Sequence, residues 1–166
     1  MNKIGIIMGS DSELPIAEKA IEKLAEYGIN YEVHVYSAHR TPEETIRFAK
    51  EARQNGFDAL IGIAGKAAHL AGVIAANTTL PVIGVPVNSS LEGMDALLST
   101  VQMPPGIPVA TVGIDGAANA AILAAEILAV SDEKLAQLLL KKRIEAKEAV
   151  LEKNHRIEKK WNGGTK

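Results

Sequence analysis

Hydrophobic and polar residues alternate along this chain with two periods, and the period switches at regular intervals. Lys3 to Met8 is a continuous apolar run, the pattern of a strand buried on both faces. From Leu14 to Tyr27 the spacing lengthens. Ile16, Ala20 and Leu24 fall at i, i+4 and i+8, with Ala17 and Ile21 on the next stripe, which predicts a helix that Gly28 closes. Val33 and Val35 then alternate with Glu32 and His34, predicting a strand over 29–36. A helix is expected over 42–55, with Thr45, Phe48, Ala49 and Ala52 on one face, ended by Asn55-Gly56. Asp58 to Ile63 reads as a third strand, Ala67 to Asn77 as a helix and Pro81 to Val85 as a fourth strand. Met94 to Val101 reads as a short helix, Val109 to Ile114 as a fifth strand and Ala117 to Val130 as a fifth helix.

Strict alternation of strands and helices indicates a parallel sheet covered on both faces. The expected architecture is α/β, a three-layer flavodoxin-like (Rossmann-like) sheet plus a long C-terminal helix. It forms a single domain over 1–166, with its core at about 3–130 and the terminal helix at about 132–160. Ser131-Asp132-Glu133 caps that helix, and Leu135, Leu138, Leu139, Ala146, Ala149 and Val150 run along it. It comes after the sheet is complete, so it either lies back on its own domain or reaches another subunit. The Ala-rich helix before it, apolar on nearly every face, favours close packing between subunits. The tail from Trp161 to Lys166 is expected to fray.

Composition narrows the function. With 166 residues, 47% hydrophobic and 23% charged, the chain is globular. Its formal net charge of −2 argues against bulk binding of nucleic acid or acidic membranes, though not against a local cationic pocket. No apolar run reaches membrane-spanning length and no signal-peptide pattern opens the chain, so a cytoplasmic protein is expected. The absence of cysteine removes disulfides, thiolate catalysis and cysteine zinc sites.

The chemistry concentrates at Ser37-Ala38-His39-Arg40-Thr41-Pro42, between the second strand and the second helix. Thr41 as N-cap, Pro42 at the first helical position and Glu44 three residues after Thr41 make a capping box. Ser37, His39 and Arg40 then fall on a strand-to-helix turn, at the strand end where open parallel sheets bind ligands. A hydroxyl, an imidazole and a guanidinium at a helix N-terminus make an anion site with an acid/base group beside it. The plainer alternative is a capped helix preceded by solvated polar residues.

Gly9-Ser10-Asp11-Ser12-Glu13 ends the first strand. Ser10 and Ser12 suit a phosphate and Glu13 suits ribose hydroxyls; alternatively Ser12 simply caps the helix. This loop is neither Gly-x-Gly-x-x-Gly nor a P-loop, and Gly65-Lys66 fails the P-loop pattern because Leu60 and Ala67 stand at its other fixed positions. Neither a dinucleotide nor ATP is expected. Of the four histidines, His34 reads as structural or solvent-facing and His155 as surface. His39 and His69 can share one rim, His69 more as a hydrogen-bonder at a helix start than as a reactive group. With no third ligand at regular spacing, no metal is expected. A Gly-x-Ser-x-Gly elbow for nucleophilic hydrolysis is absent. The stiff loop Met103 to Pro108 either walls a pocket or merely connects two elements.

These motifs, with Ala67-Ala68-His69-Leu70, Gly84-Val85-Pro86-Val87, Gln102 to Val109 and Ala117 to Ala121, occur in an order that resembles the PurE family of purine biosynthesis over about Lys3 to Val130. The resemblance implies a flavodoxin-like subunit in a homo-octamer, sites at subunit junctions and an aminoimidazole ribonucleotide substrate, with no cofactor. It implies His39 as the proton shuttle. Arg40, Ser10, Ser12 and Ser37 would recognise phosphate or carboxylate, and Glu13 would hold the ribose. Gly65, Lys66, Ala67, His69 and Leu70 would line the base region. Ser-Ala-His-Arg and Ala-His-Leu resemble the family's mutase branch, which moves a carboxylate from the exocyclic nitrogen to C4. Lys66 resembles the branch that carboxylates directly with CO2. Glu13 stands where the family usually has Asp, and Lys66 and Ala71 where the mutase branch has Gly and Pro. A non-catalytic nucleotide-binding module is the reading outside enzymes.

Overall fold

A computed structural model describes residues 2–162. It resolves into two compact units, one ending at Leu128 and one starting at Ala129.

The first unit is built on a five-stranded parallel sheet: β1 (Lys3–Met8), β2 (Asn30–Val35), β3 (Ala59–Gly65), β4 (Val82–Val87) and β5 (Ala110–Thr111), in the order β2-β1-β3-β4-β5. This is the flavodoxin-like order expected from the alternation. Its connections reverse direction between β1 and β3, opening a crevice at the strand ends. Ile6 pairs in register with Ile61, and Ile4, Ile6, Ile7, Leu60, Ile61 and Ile63 are fully buried, as continuous apolar runs require. The helices are α1 (Leu14–Glu26), α2 (Pro42–Glu51), α3 (Leu70–Ala75), α4 (Met94–Val101) and α5 (Ala117–Ala129).

Edge strand β2 is held to α2 by rings. His34 stacks on Tyr36 at 5.0 Å and meets Phe48 at 4.8 Å, so of its two expected roles it takes the structural one. On α5 the buried residues Ala117, Ala120, Ala121, Ala124, Ala125 and Leu128 form one stripe, while Ile122, Leu123 and Ile127 are only half-buried.

Three elements are clearly shorter than expected. α2 stops at Glu51 because the chain turns through Gly56, at φ 77°, and the Phe57 N–H returns to the Ala52 carbonyl at 3.1 Å. α3 starts at Leu70 instead of Ala67 because Lys66 and His69 are left-handed, at φ 55° and 57°, which no helix accommodates. β5 keeps only two residues. Beyond it, the Val112 N–H reaches the Gly84 carbonyl at 3.1 Å and the Asp115 N–H the Pro86 carbonyl at 2.9 Å, irregular pairing that ends at left-handed Asp115.

Two glycines set how closely α3 and α4 approach the sheet. Gly62 and Gly84 pair across β3 and β4. A Cβ on Gly62 would lie 3.2 Å from Ala71 Cα; one on Gly84 would lie 2.2 Å from Thr100 Cγ2 and 3.2 Å from Ala71 Cβ.

The second unit is a long helix, α6 (Glu133–Trp161). Its expected cap is present: the Asp132 side chain accepts the Leu135 N–H at 3.1 Å. Leu135 and Leu139 are buried, whereas Leu140, Ile144, Val150, Leu151, Ile157 and Trp161 are exposed. The helix runs through Trp161, the first residue of the expected tail; residues 163–166 of that tail lie outside the described residues. No helix among the described residues is long and apolar enough to cross a membrane.

Candidate active site

Four loops converge at the carboxyl ends of β1, β2, β3 and β4 and enclose a cleft of about 460 Å³. That volume suits a small ligand.

The loop after β1 contributes Gly9, Ser10, Ser12 and Glu13. Ser10 Oγ accepts the Ser12 N–H at 3.3 Å and its hydroxyl at 3.0 Å, so Ser10, not Ser12, caps the short 3-10 turn Asp11–Glu13 that leads into α1. That turn carries the Glu13 side chain inward.

After β2, Ser37 organises the central motif. Its Oγ accepts the N–H groups of His39 and Arg40, at 3.4 and 3.2 Å, and Arg40 Nε–H at 3.4 Å. Arg40 Nη2 reaches across to donate to the Gly9 carbonyl at 2.7 Å, tying this loop to the one after β1. The expected capping box does not form. Thr41 Oγ1 instead accepts the Ser37 N–H at 2.8 Å and donates to the Ser37 carbonyl at 3.2 Å, so its acceptor is committed to the turn and not to the helix end. The side chain predicted to start the helix holds the site.

After β3, the Lys66 N–H donates to Ser89 Oγ at 3.1 Å. Ser89 lies over Gly65, where a Cβ would sit 2.3 Å from its Oγ, so glycine is required there for the loops after β3 and β4 to close. Left-handed Lys66 costs roughly 1 kcal/mol relative to a glycine in that conformation.

Glu13 is the buried charge of the cleft. It is 9% exposed, and its Oε2 is buried with no hydrogen-bond partner. Burial pushes its pKa above the ordinary 4.5; the Ser10 N–H, the Arg40 charge and the N–H groups of Glu13 and Gly65 act the other way. The folded carboxyl therefore keeps its proton to higher pH than the unfolded one. The stability it confers is complete below pH 4.5 and is lost as pH rises through the folded value. Urea midpoints followed upward from pH 4.5 are expected to fall in the wild type, and this decline is expected to be smaller in Glu13→Gln. An identical pH dependence in both would show that Glu13 does not set it.

Ser10, Ser12, Glu13, Ser37, His39, Arg40, Gly65, Lys66 and Leu70 all line the cleft. Ala67 and His69 do not. His69 stands at the N-cap position of α3 but its ring does not cap the helix; it turns away from the cleft, Nδ1 donating to the Ser99 carbonyl at 2.7 Å and the imidazole lying over Gly72. It is a hydrogen-bonder at a helix start, as expected of its more ordinary role, but its bond goes to α4 and not to the helix it begins. The loop Met103 to Pro108 contributes nothing to this cleft. Ser89 is the functional side chain that sequence reasoning missed. Its signal was available, since the polar stretch Asn88 to Gly93 directly follows a buried strand and therefore falls on the same rim.

One imidazole, one guanidinium, one ammonium, a set of hydroxyls and one buried carboxyl can bind an anionic, hydroxyl-bearing molecule and move a proton on it. A family profile described as AIR carboxylase matches residues 3–149. The chain belongs to the AIR carboxylase family. Among members of this AIR carboxylase family, an N5-carboxyaminoimidazole ribonucleotide mutase from Methanocaldococcus jannaschii is 56% identical over 93% of this chain and 96% of its own length. One of the same name from Thermotoga maritima is 51% identical over 95% and 93%. A crystal structure of Treponema denticola PurE superposes with a TM-score of 0.84 at 28% identity, covering 95% of this chain and 99% of the other. These matches bear out both the family and the fold expected from the motifs.

Proposed function

We propose that this protein is an N5-carboxyaminoimidazole ribonucleotide mutase, which transfers the carboxylate from the exocyclic nitrogen to C4 of the imidazole in purine biosynthesis. The observation that carries this reading is the seating of His39 and Arg40 on one turn after β2, in a cleft that spans the switch point between β1 and β3 and also holds Glu13 and Lys66. Nearly full-length similarity to mutases supports it.

The reaction balances with one proton carrier. The N–CO2 bond breaks, its electron pair stays on nitrogen, and His39 supplies the proton that makes the amine. The electron-rich C4 then attacks CO2 to form the new carbon–carbon bond, and the C4 proton returns to His39. Arg40, with the hydroxyls of Ser10, Ser12 and Ser37, holds the phosphate. The unpartnered Glu13 oxygen accepts from a ribose hydroxyl. Gly65, Lys66 and Leu70 line the base end. Confining CO2 gives it a high effective concentration at C4.

Confinement requires a covered cleft, yet His39 is exposed in the single chain. We place the sites at subunit junctions of a cytoplasmic homo-octamer of one-domain subunits. The exposed apolar residues of α4, Met94, Leu98 and Val101, and of α6 are consistent with such burial. Sedimentation at low concentration tests this; a stable monomer overturns it.

Direct carboxylation is the second reading, favoured by Lys66. A paired assay decides between them. N5-carboxyaminoimidazole ribonucleotide is given with labelled bicarbonate, and aminoimidazole ribonucleotide with excess CO2. Unlabelled C4-carboxylated product from the first establishes the mutase. Product from the second alone establishes the carboxylase, and binding without product from either leaves only a binding module.

A further inference from the structure

The cleft is lined by two cationic side chains whose turns stand on opposite sides of it; the Arg40 guanidinium is itself tethered, whereas Lys66 is held by its backbone alone. Arg40 is bound to Ser37 and Gly9, on the β2–β1 side. Lys66 is bound through its N–H to Ser89, on the β4 side. The turns that carry them follow β2 and β3, two inter-strand spacings apart, about 10 Å, and the buried Glu13 carboxyl lies on the loop after β1, the strand between them. The order across the cleft is therefore cation, carboxyl, cation. A carboxylated ribonucleotide carries the complementary order of phosphate, hydroxyls and carboxylate. Its decarboxylated form lacks the last anion.

The Lys66 ammonium is free to meet that anion. Among the described residues it forms no ion pair, although the Asp95 carboxylate lies within its electrostatic reach. Asp95 is already occupied, accepting the Ser90 hydroxyl and the Ala96 N–H at 2.9 Å. A lysine in this left-handed position is also unexplained by the fold, because glycine would hold the same backbone without strain.

We infer that Lys66 is the specificity residue by which this cleft separates carboxylated from non-carboxylated nucleotide, its ammonium holding the carboxylate at the base end while Arg40 holds the phosphate. This rests on the substrate class proposed above.

The test is calorimetric binding of two stable ligands, aminoimidazole ribonucleotide and its 4-carboxylated form, to wild-type protein, Lys66→Met and Lys66→Arg. The methionine variant is expected to lose about tenfold in affinity for the carboxylated nucleotide, the scale of one charge-assisted hydrogen bond, with less than a twofold change for the other. The arginine variant is expected to retain the discrimination. Equal weakening of both ligands, or no change for either, overturns the assignment. Thermal midpoints equal to wild type establish that a loss is not misfolding. Failure of the wild type to bind either nucleotide rejects the substrate class itself, a different result from loss of discrimination alone.

Discussion

His39→Asn is expected to bind nucleotide nearly as well as the wild type and to turn it over about 10³-fold more slowly, within the usual range for removing a positioned acid/base group. Asparagine keeps a similar size and polar character but does not titrate. The change also spares the turn, because His39 is held there through its backbone N–H to Ser37 Oγ and not through its ring. Binding and turnover should therefore separate cleanly. Equilibrium binding of the 4-carboxylated nucleotide reads the first, and single-turnover conversion reads the second. Turnover within tenfold of wild type would remove His39 from the chemistry. Parallel loss of binding would make it a recognition residue. Because the imidazole both gives and takes a proton, forward and reverse reactions should fall together.

Arg40→Met is expected to raise KM by about 10²–10³-fold, the loss of a charge-assisted, forked contact to phosphate. Part of that loss comes from the turn, since the guanidinium also joins the loops after β1 and β2 through the Gly9 carbonyl. Arg40→Lys separates the two effects. It keeps the charge without the fork, so it should recover less than half of the lost binding free energy. A KM within threefold of wild type in Arg40→Met would place the phosphate elsewhere. A fall in kcat of the same size as the rise in KM would mean that Arg40 mainly positions its neighbour His39.

Much of this was legible in the residues. The period switch from strand to helix places every strand, and Met94–Val101 is a helix with the expected bounds. The central turn is legible because hydroxyl, imidazole and guanidinium crowd into a few positions. What was not legible depends on backbone conformations that side-chain type does not announce. Lys66, His69 and Asp115 adopt left-handed angles usually left to glycine or asparagine, and they move the start of α3, turn the His69 ring away from the cleft and end β5 early. Thr41 misled for another reason: its hydroxyl had two places to bond, and the tertiary one at Ser37 prevailed over the local cap.

The paired glycines beneath α3 bear on how such a site can diversify. With Gly62 and Gly84 pressed against Ala71, and Thr100 against Gly84, helices α3 and α4 have almost no freedom to slide on the sheet. Substrate preference on this scaffold therefore cannot drift by gradual backbone adjustment at the base end. It can change by exchanging a side chain on the turn between β3 and α3. Lys66 is an exposed position whose replacement by glycine would relieve strain and disturb no packing. With Lys66 in the role proposed for it, a rigid seat under a replaceable cation would let one fold cross between related chemistries in a single mutational step, without passing through an unstable intermediate.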